Sequence, residues 1–267
     1  MVWYYMRKLL INILKKSPAC FIYNYFKKKQ LHRIDSGFFD TNKQMLEFYS
    51  SLVNSGDLVF DIGANFGNRS KVFAQIGAKV IAFEPQAACA EYLKSYFWFE
   101  ANVHIEQVAL GEDCTSAIMK ISNNSVLSTL SDEYIDRSVK CGRFSKDSWQ
   151  DSQTVQVKTL DHYINKYGCP KFAKIDVEGF EFEVLKGLTH AIPIISVEFA
   201  TENKNTNMAC IDKLINIGDY VFQFSEEECF QLHSEKWIDA RAIKDQIDSF
   251  NGLEWGDVYC RLKKNIK

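Results

Sequence analysis

From Leu58 onward, short apolar runs rich in β-branched and aromatic residues alternate with longer stretches whose apolar positions recur three and four residues apart. Alternating periods of this kind mark β-α-β units feeding a parallel sheet. Strands are predicted at Leu58 to Asp61, Lys79 to Glu84, Val103 to Ala109, Phe172 to Asp176, Ile194 to Phe199, Tyr220 to Phe224 and Val258 to Leu262. Helical spacing covers Arg69 to Ile76, Ala87 to Trp98, Glu181 to Leu188 and Met208 to Ile217, and a small helix is expected around Ala240 to Ile247. The fold class that follows is α/β, with a doubly wound, seven-stranded, mostly parallel sheet.

Two segments break the rhythm. Gly111 to Thr154 is rich in Ser, Asp and Asn and reads as an insertion between the third and fourth strands. In such a sheet it falls over the carboxyl ends of the strands, where ligands bind. Residues 1–56 precede the first strand and read as an N-terminal helical arm, broken near Pro18, leaving 57–267 as the main domain. The first 34 residues carry Arg7, Lys8, Lys15, Lys16, Lys27, Lys28, Lys29 and Arg33, interleaved with Trp3, Tyr4, Tyr5, Phe21, Tyr23, Tyr25 and Phe26, and contain no Asp or Glu. A basic, aromatic segment can lie on an anionic membrane surface or meet an acidic glycan. It can equally pack its apolar side on the domain edge and leave its lysines in water.

Composition narrows this picture only slightly. A formal net charge of -2 gives no overall field to gather nucleic acid. The 8 cysteines include no C-x-x-C pair, which argues against zinc ribbons and redox dithiols and for a reducing compartment. The lysines at 15 and 16 interrupt the only apolar run near the start, so no secretory signal is read there. A cytoplasmic protein is expected, peripheral at the inner membrane face if the arm docks.

Candidate chemistry begins at Asp61-Ile62-Gly63-Ala64-Asn65-Phe66-Gly67, where an apolar strand runs into a glycine-rich turn and then a helix that contains Ser70. Glycine lets the backbone approach a ligand, and a helix start offers free N–H groups. The glycines stand as G-x-N-x-G, which departs from the dinucleotide fingerprint G-x-G-x-x-G. The next strand ends in Glu84-Pro85, where a carboxylate can accept both hydroxyls of a ribose. Glu106-Gln107-Val108-Ala109-Leu110-Gly111 ends the third strand, where an adenine would lie. The candidate cofactor residues are therefore Asp61, Gly63, Asn65, Gly67, Ser70, Glu84, Pro85, Gln107, Val108 and Ala109.

Over roughly residues 57 to 200 the chain resembles the FkbM family of methyltransferases. The matching pieces are Phe60 to Gly67, Phe83-Glu84-Pro85, Val108 to Gly111, Val157-Lys158-Thr159-Leu160-Asp161, Val184-Leu185-Lys186-Gly187 and, most specifically, Lys174-Ile175-Asp176-Val177-Glu178-Gly179-Phe180-Glu181. The resemblance implies a class I methyltransferase (Rossmann-like) fold, S-adenosylmethionine as cofactor, and O-methylation of hydroxyls on sugars, glycans or secondary metabolites. Gln107 stands where the family often has Asn, and the segments before 35 and after 200 match no family motif.

Methyl transfer needs an acceptor held in line and its proton removed; positioning is worth roughly 7 to 11 kcal/mol and a general base about 10²- to 10⁴-fold. Asp176, at the end of the fourth strand, is the best-placed carboxylate, with Glu178 and Glu198 beside it as candidates. Each has another reading. Asp176, Glu178 or Glu181 could cap the helix that begins near Gly179, and Glu198 could pair with Lys174. Asp176 and Glu198 could also hold a divalent metal, although no ligand spacing calls for one. His162 reads as a surface residue. Tyr134, Phe144, Trp149, Ser128 and Thr129 of the insertion could contact a sugar ring or pack as a lid. The four prolines include no adjacent pair, so the D/N-P-P-Y/F run of base-amine methyltransferases is missing and a nucleic-acid acceptor is disfavoured. A hydroxyl-bearing acceptor, most of all a saccharide, is expected. Another small molecule, lipid or protein, or a nicotinamide-linked or non-catalytic nucleotide-binding role, are the alternatives.

Overall fold

Leu58–Ile62 (β1) is apolar at every position but Asp61 and is buried on both faces, as a central parallel strand must be. A computed structural model describes residues 39–144 and 146–263, with side chains from Lys43 onward; the basic arm expected over residues 1–34 lies outside the described residues. β1 is followed by Asn68–Ile76 (α2), Lys79–Phe83 (β2), Ala87–Tyr96 (α3) and Val103–Glu106 (β3). Phe172–Ile175 (β7), Glu181–Lys186 (α6), Ile194–Ala200 (β8), Lys204–Ile217 (α7), Tyr220–Glu226 (β9), Ala240–Ser249 (α8) and Trp255–Leu262 (β10) complete the main frame. The sheet order is β3-β2-β1-β7-β8-β10-β9, parallel from β3 through β8, with β10 antiparallel to both β8 and β9.

Pleat alternation splits the interior into two cores. Phe60, Ile62, Ile81, Phe83, Ala173, Ile175 and Val197 face one side of the sheet, where Phe60 and Phe83 meet edge to face at 5.3 Å. Val59, Val80, Ala82, Phe172 and Ile194 face the other. Phe39–Ser50 (α1) covers that second face; its Met45 and Tyr49 are buried, and Tyr49 packs on Phe73 and Phe172. Part of the segment grouped with the arm on sequence grounds thus packs into the core. Each buried aromatic side chain is worth about 1.5–3 kcal/mol.

The expected third strand, Val103 to Ala109, is two strands. β3 stops at Glu106, and Ala109–Leu110 (β4) leaves the main sheet to pair with Asp151–Lys158 (β6), which also pairs with Thr115–Ile121 (β5). The β4-β6-β5 sheet, a 3₁₀ turn at Ser125–Leu127, the helix Asp132–Cys141 (α4) and Leu160–Tyr167 (α5) occupy the stretch between β3 and β7. Among the described residues no helix is long and apolar enough to cross a membrane.

Strand order sets the site. β1 is flanked by β2 and β7, so the loops leaving β1 and β7 diverge and open a crevice at their carboxyl ends. The two loops also touch: at Gly63, with φ +84°, a Cβ would stand 1.8 Å from the Asp176 carbonyl oxygen. Gly63→Ala adds a left-handed penalty of about 1–2 kcal/mol to that collision. A lower melting temperature by circular dichroism is expected; an unchanged one would mean that the two loops do not depend on their close approach.

Candidate active site

The turn after β1 is built around backbone amides. Gly63 and Ala64 N–H both donate to the Phe83 carbonyl at 3.0 Å, tying the loop to the end of β2. Asn65, at φ +47°, is in the left-handed region that Asn tolerates better than most residues. Its N–H donates to Glu84 Oε2 at 2.6 Å, and Gln86 N–H donates to Glu84 Oε1 at 2.7 Å. Glu84 is thereby fixed with one amide on each oxygen, leaving lone pairs for further donors. Burial pushes its carboxyl up to about 7, against the lowering effect of the two amides.

A cavity of about 570 Å³ opens over this loop. Of the candidate cofactor residues, Asp61, Gly63, Asn65, Glu84, Pro85, Val108 and Ala109 line it together. Three others do not. Gly67, at φ +77°, caps α2, and its missing Cβ makes room for Leu93, which would be 2.6 Å away. Ser70 is buried behind the loop and donates its hydroxyl to Asp61 Oδ2, fixing that carboxylate rather than meeting a ligand. Gln107 is exposed and accepts from Lys94 Nζ at 3.0 Å, because the chain turns away from the main sheet there. Leu110 and Met119 add apolar wall beside Val108 and Ala109.

Opposite the loop, the three catalytic candidates converge: carboxylate oxygens of Asp176, Glu178 and Glu198 lie within 4.8 Å of one another. A divalent cation could be held at such a spacing by hard oxygen ligands. Beside them lies Lys174, whose buried ammonium is 2.9 Å from Asp176 Oδ2 and 2.8 Å from Asp257 Oδ1. Burial works against that ammonium, but the two carboxylates outweigh it and raise its pKa. Burial alone would raise Asp176 too; the charges of Lys174 and Arg69 prevail and hold it below the usual carboxylate range. Glu178 is pushed up to about 8 by burial and by the Asp176 charge. Glu198 is raised by burial and by the charges of Asp176, Glu178 and Glu181. The cluster thus sets one carboxyl held low beside two held high, and it titrates as a unit.

The helix after β7 is capped by neither Asp176 nor Glu178. Nor does Glu181 cap it: the N-cap is Phe180, with no side-chain cap bond, and Glu181 Oε1 instead accepts the N–H groups of Val177 and Gly179 at 3.1 Å each, bracing the loop between β7 and the helix. Lys174 pairs with Asp176 and Asp257, not with Glu198. His162 is exposed in the first turn of α5.

The insertion forms the roof. Tyr134 donates its hydroxyl to Glu178 Oε2, and Thr129 Oγ1 donates to the Glu178 carbonyl at 2.7 Å. Trp149 Nε1–H bonds the Leu127 carbonyl at 2.7 Å, so that indole packs within the roof. Sequence reasoning missed Arg69, Arg143 and Glu202, which also line the cavity. Arg143 Nε and Nη2 meet Glu202 Oε1 and Oε2 at 2.6 and 2.8 Å. Only the contact order could have paired residues so far apart in the chain, and a single sequence does not contain it.

The sheet order, the glycine loop and the strand-end carboxylate facing it define a class I methyltransferase that takes S-adenosylmethionine. A family model of the methyltransferase FkbM domain matches residues 61–224, and the chain belongs to that family. No curated protein matches the sequence. Solved structures similar to it include precorrin-6Y C5,15-methyltransferase from Geobacter metallireducens (10% identity, 82% of this chain and 87% of that one, TM-score 0.43). Aeropyrum pernix fibrillarin with bound S-adenosyl-L-methionine (10%, 78% and 68%, 0.40) and an O-methyltransferase from Thermotoga maritima (11%, 85% and 66%, 0.38) are two more. The residues present fit the cofactor: Glu84 keeps acceptor capacity toward the cavity, and Val108, Ala109, Leu110 and Met119 make an apolar slot beside it.

Two outcomes are expected at Glu84. An ionised carboxylate accepts from both ribose hydroxyls, whereas a protonated one gives up an acceptor position. With the free carboxyl raised to about 7, binding of adenosylhomocysteine should release a proton and tighten as pH rises through that value. Calorimetry in buffers of different ionisation enthalpy reads both effects, and an affinity independent of pH would place the ribose elsewhere. Glu84→Gln should weaken adenosylhomocysteine about 10- to 100-fold, the worth of one charged hydrogen bond; unchanged affinity would remove Glu84 from the site.

Proposed function

We propose that the enzyme methylates a hydroxyl oxygen of a saccharide or related polyol, with Asp176 taking the proton. The observation that carries this reading is the state of Asp176: a carboxylate kept ionised by Lys174 on the cavity wall, within a cluster of carboxyls. An alcohol is a poor nucleophile until its proton is drawn off, and a fixed anion within hydrogen-bond reach does this as the new bond forms. Adjacent hydroxyls of a polyol find partners in Glu178 and Glu198, which can donate when protonated and accept when ionised. Phe144 and Trp255 on the same wall offer apolar faces to a sugar ring.

When bound, S-adenosylmethionine supplies a methyl carbon made electrophilic by its sulfonium. The chain's part is to place the acceptor oxygen against that carbon, accept the proton at an Asp176 oxygen, and keep water out beneath the roof formed by Val126, Leu127 and Tyr134. Lys174 stays protonated throughout and keeps Asp176 a weak, steady base, so positioning is the larger contribution.

Asp176→Asn should leave adenosylhomocysteine affinity nearly unchanged and lower kcat by about 10²- to 10⁴-fold, the usual worth of a general base. Full activity in that variant would end the catalytic role assigned to Asp176. Labelled methyl transfer from S-adenosylmethionine to a panel of monosaccharides, followed by product analysis, should yield methyl ethers. Products methylated only on nitrogen or carbon would overturn the hydroxyl reading.

A further inference from the structure

The acceptor side of the cavity has cations, and each already holds an ion pair with a carboxylate. Among the described lining residues they are Arg69, Arg143 and Lys174. Lys174 is divided between Asp176 and Asp257 at 2.9 and 2.8 Å. Arg143 spends its planar fork on Glu202, both carboxylate oxygens engaged, and its Nη2 donates again to the Leu253 carbonyl at 2.8 Å. Arg69 Nη2 is 2.8 Å from Glu228 Oε1, while its Nε is buried without a hydrogen-bond partner, so Arg143 is the guanidinium whose fork is fully used.

Backbone donors are committed as well. The N–H groups of Val177 and Gly179, in the loop that follows β7, both donate to Glu181 Oε1. On the other side, Glu178 has a tyrosine hydroxyl as its partner, and Glu198 stands within 4.8 Å of it. A phosphate or carboxylate entering here would have to break a bidentate ion pair to gain the Arg143 guanidinium, and would still face carboxyls. An uncharged hydroxyl compound, or one bearing an amine, meets no such obstacle.

Resting on the reading of this wall as the acceptor side, we propose that the enzyme selects acceptors by charge: it takes neutral or amine-bearing polyols and excludes phosphorylated and carboxylated ones, with Glu202 as the residue that neutralises Arg143. The Arg143–Glu202 pair is then a specificity determinant, which explains why both oxygens of Glu202 are used where one would suffice to hold the roof. It also narrows the origin of the substrate. The preceding reaction must deliver the sugar already free of phosphate or nucleotide at the end that enters the cavity, as part of a neutral glycoside or a larger glycan.

The test uses full-length protein saturated with adenosylhomocysteine and inorganic phosphate as the anion probe, titrated by calorimetry. Glu202→Gln keeps the shape of the side chain and unpairs the guanidinium; it should add a phosphate site that wild type lacks, and Glu202→Gln combined with Arg143→Gln should lose it again. If Glu202→Gln adds no site, or if wild type already holds phosphate at a site that Arg143→Gln abolishes, charge selection by this pair is wrong. A second measurement needs no variant. Wild-type protein is given S-adenosylmethionine with methyl glucoside, glucosamine, glucuronate and glucose 6-phosphate. Anionic members methylated as fast as their uncharged parent would overturn the proposal, and methyl transfer confined to the neutral and amine-bearing members would support it. The hydroxyl reading fails separately, through the position of the methyl group in the product.

Discussion

A single buried ammonium organises the centre of this molecule. Lys174 sits on β7 in the middle of the sheet and is bound on one side by Asp176 and on the other by Asp257 of β10. An isolated charge at that depth would be lost to desolvation, and removing one partner of such a group typically costs about 3–5 kcal/mol. With both partners present the charge persists, and three consequences follow from it. Asp176 is ionised where it faces the cavity. Its negative charge adds to burial, the larger cause, in raising Glu178 and Glu198. Strand β10 is connected through Asp257 and Lys174 to the strand end that bears Asp176.

That arrangement accounts for what the sequence could and could not disclose. The parallel strands were legible because each is apolar enough to be buried on both faces, and Gly63 and Glu84 stand at strand ends where β-α units put ligand contacts. The break between β3 and β4 was hidden because apolar residues resume at Val108 after only Glu106 and Gln107, where the chain changes sheets, and periodicity records burial without recording which sheet provides it. The signal that was present lay in Glu106, which ends β3 in bonds to Lys166 and Tyr167 of α5. Partners of charged groups were the least readable feature. Lys174 finds Asp257 rather than Glu198 because β10 runs antiparallel beside β8, with Asp257 opposite Glu198 in register, and no local pattern announces that crossing.

The roof over the cavity depends on an unfavourable backbone state. Glu178 is in the left-handed region at φ +55°, and Gly179 follows at +87°. A non-glycine residue there costs about 1–3 kcal/mol and persists only where its surroundings hold it. Here they do. Thr129 bonds the Glu178 carbonyl, Tyr134 bonds its carboxyl, and the Tyr134 ring fills the space a Gly179 side chain would need, with its Cβ 2.6 Å from that position. The strained turn and the roof are therefore one unit: each fixes the other.

The two halves of the cavity consequently differ in how they are made. The cofactor half is assembled from strand ends and adjacent loops by backbone bonds, Gly63 and Ala64 to Phe83 and Asn65 to Glu84, and is complete once the parallel sheet has formed. The acceptor half is assembled from side chains that come from three distant parts of the chain: the roof, the end of β8 and the segment before β10. A fold shared by enzymes of many substrates can keep the first half and vary the second without disturbing the sheet, since none of the roof contacts is needed to pair β1 with β2 or β7. The proposed acceptor half thus rests on interactions that the core tolerates losing, and there ion pairs such as Arg143–Glu202, rather than apolar packing, line the cavity.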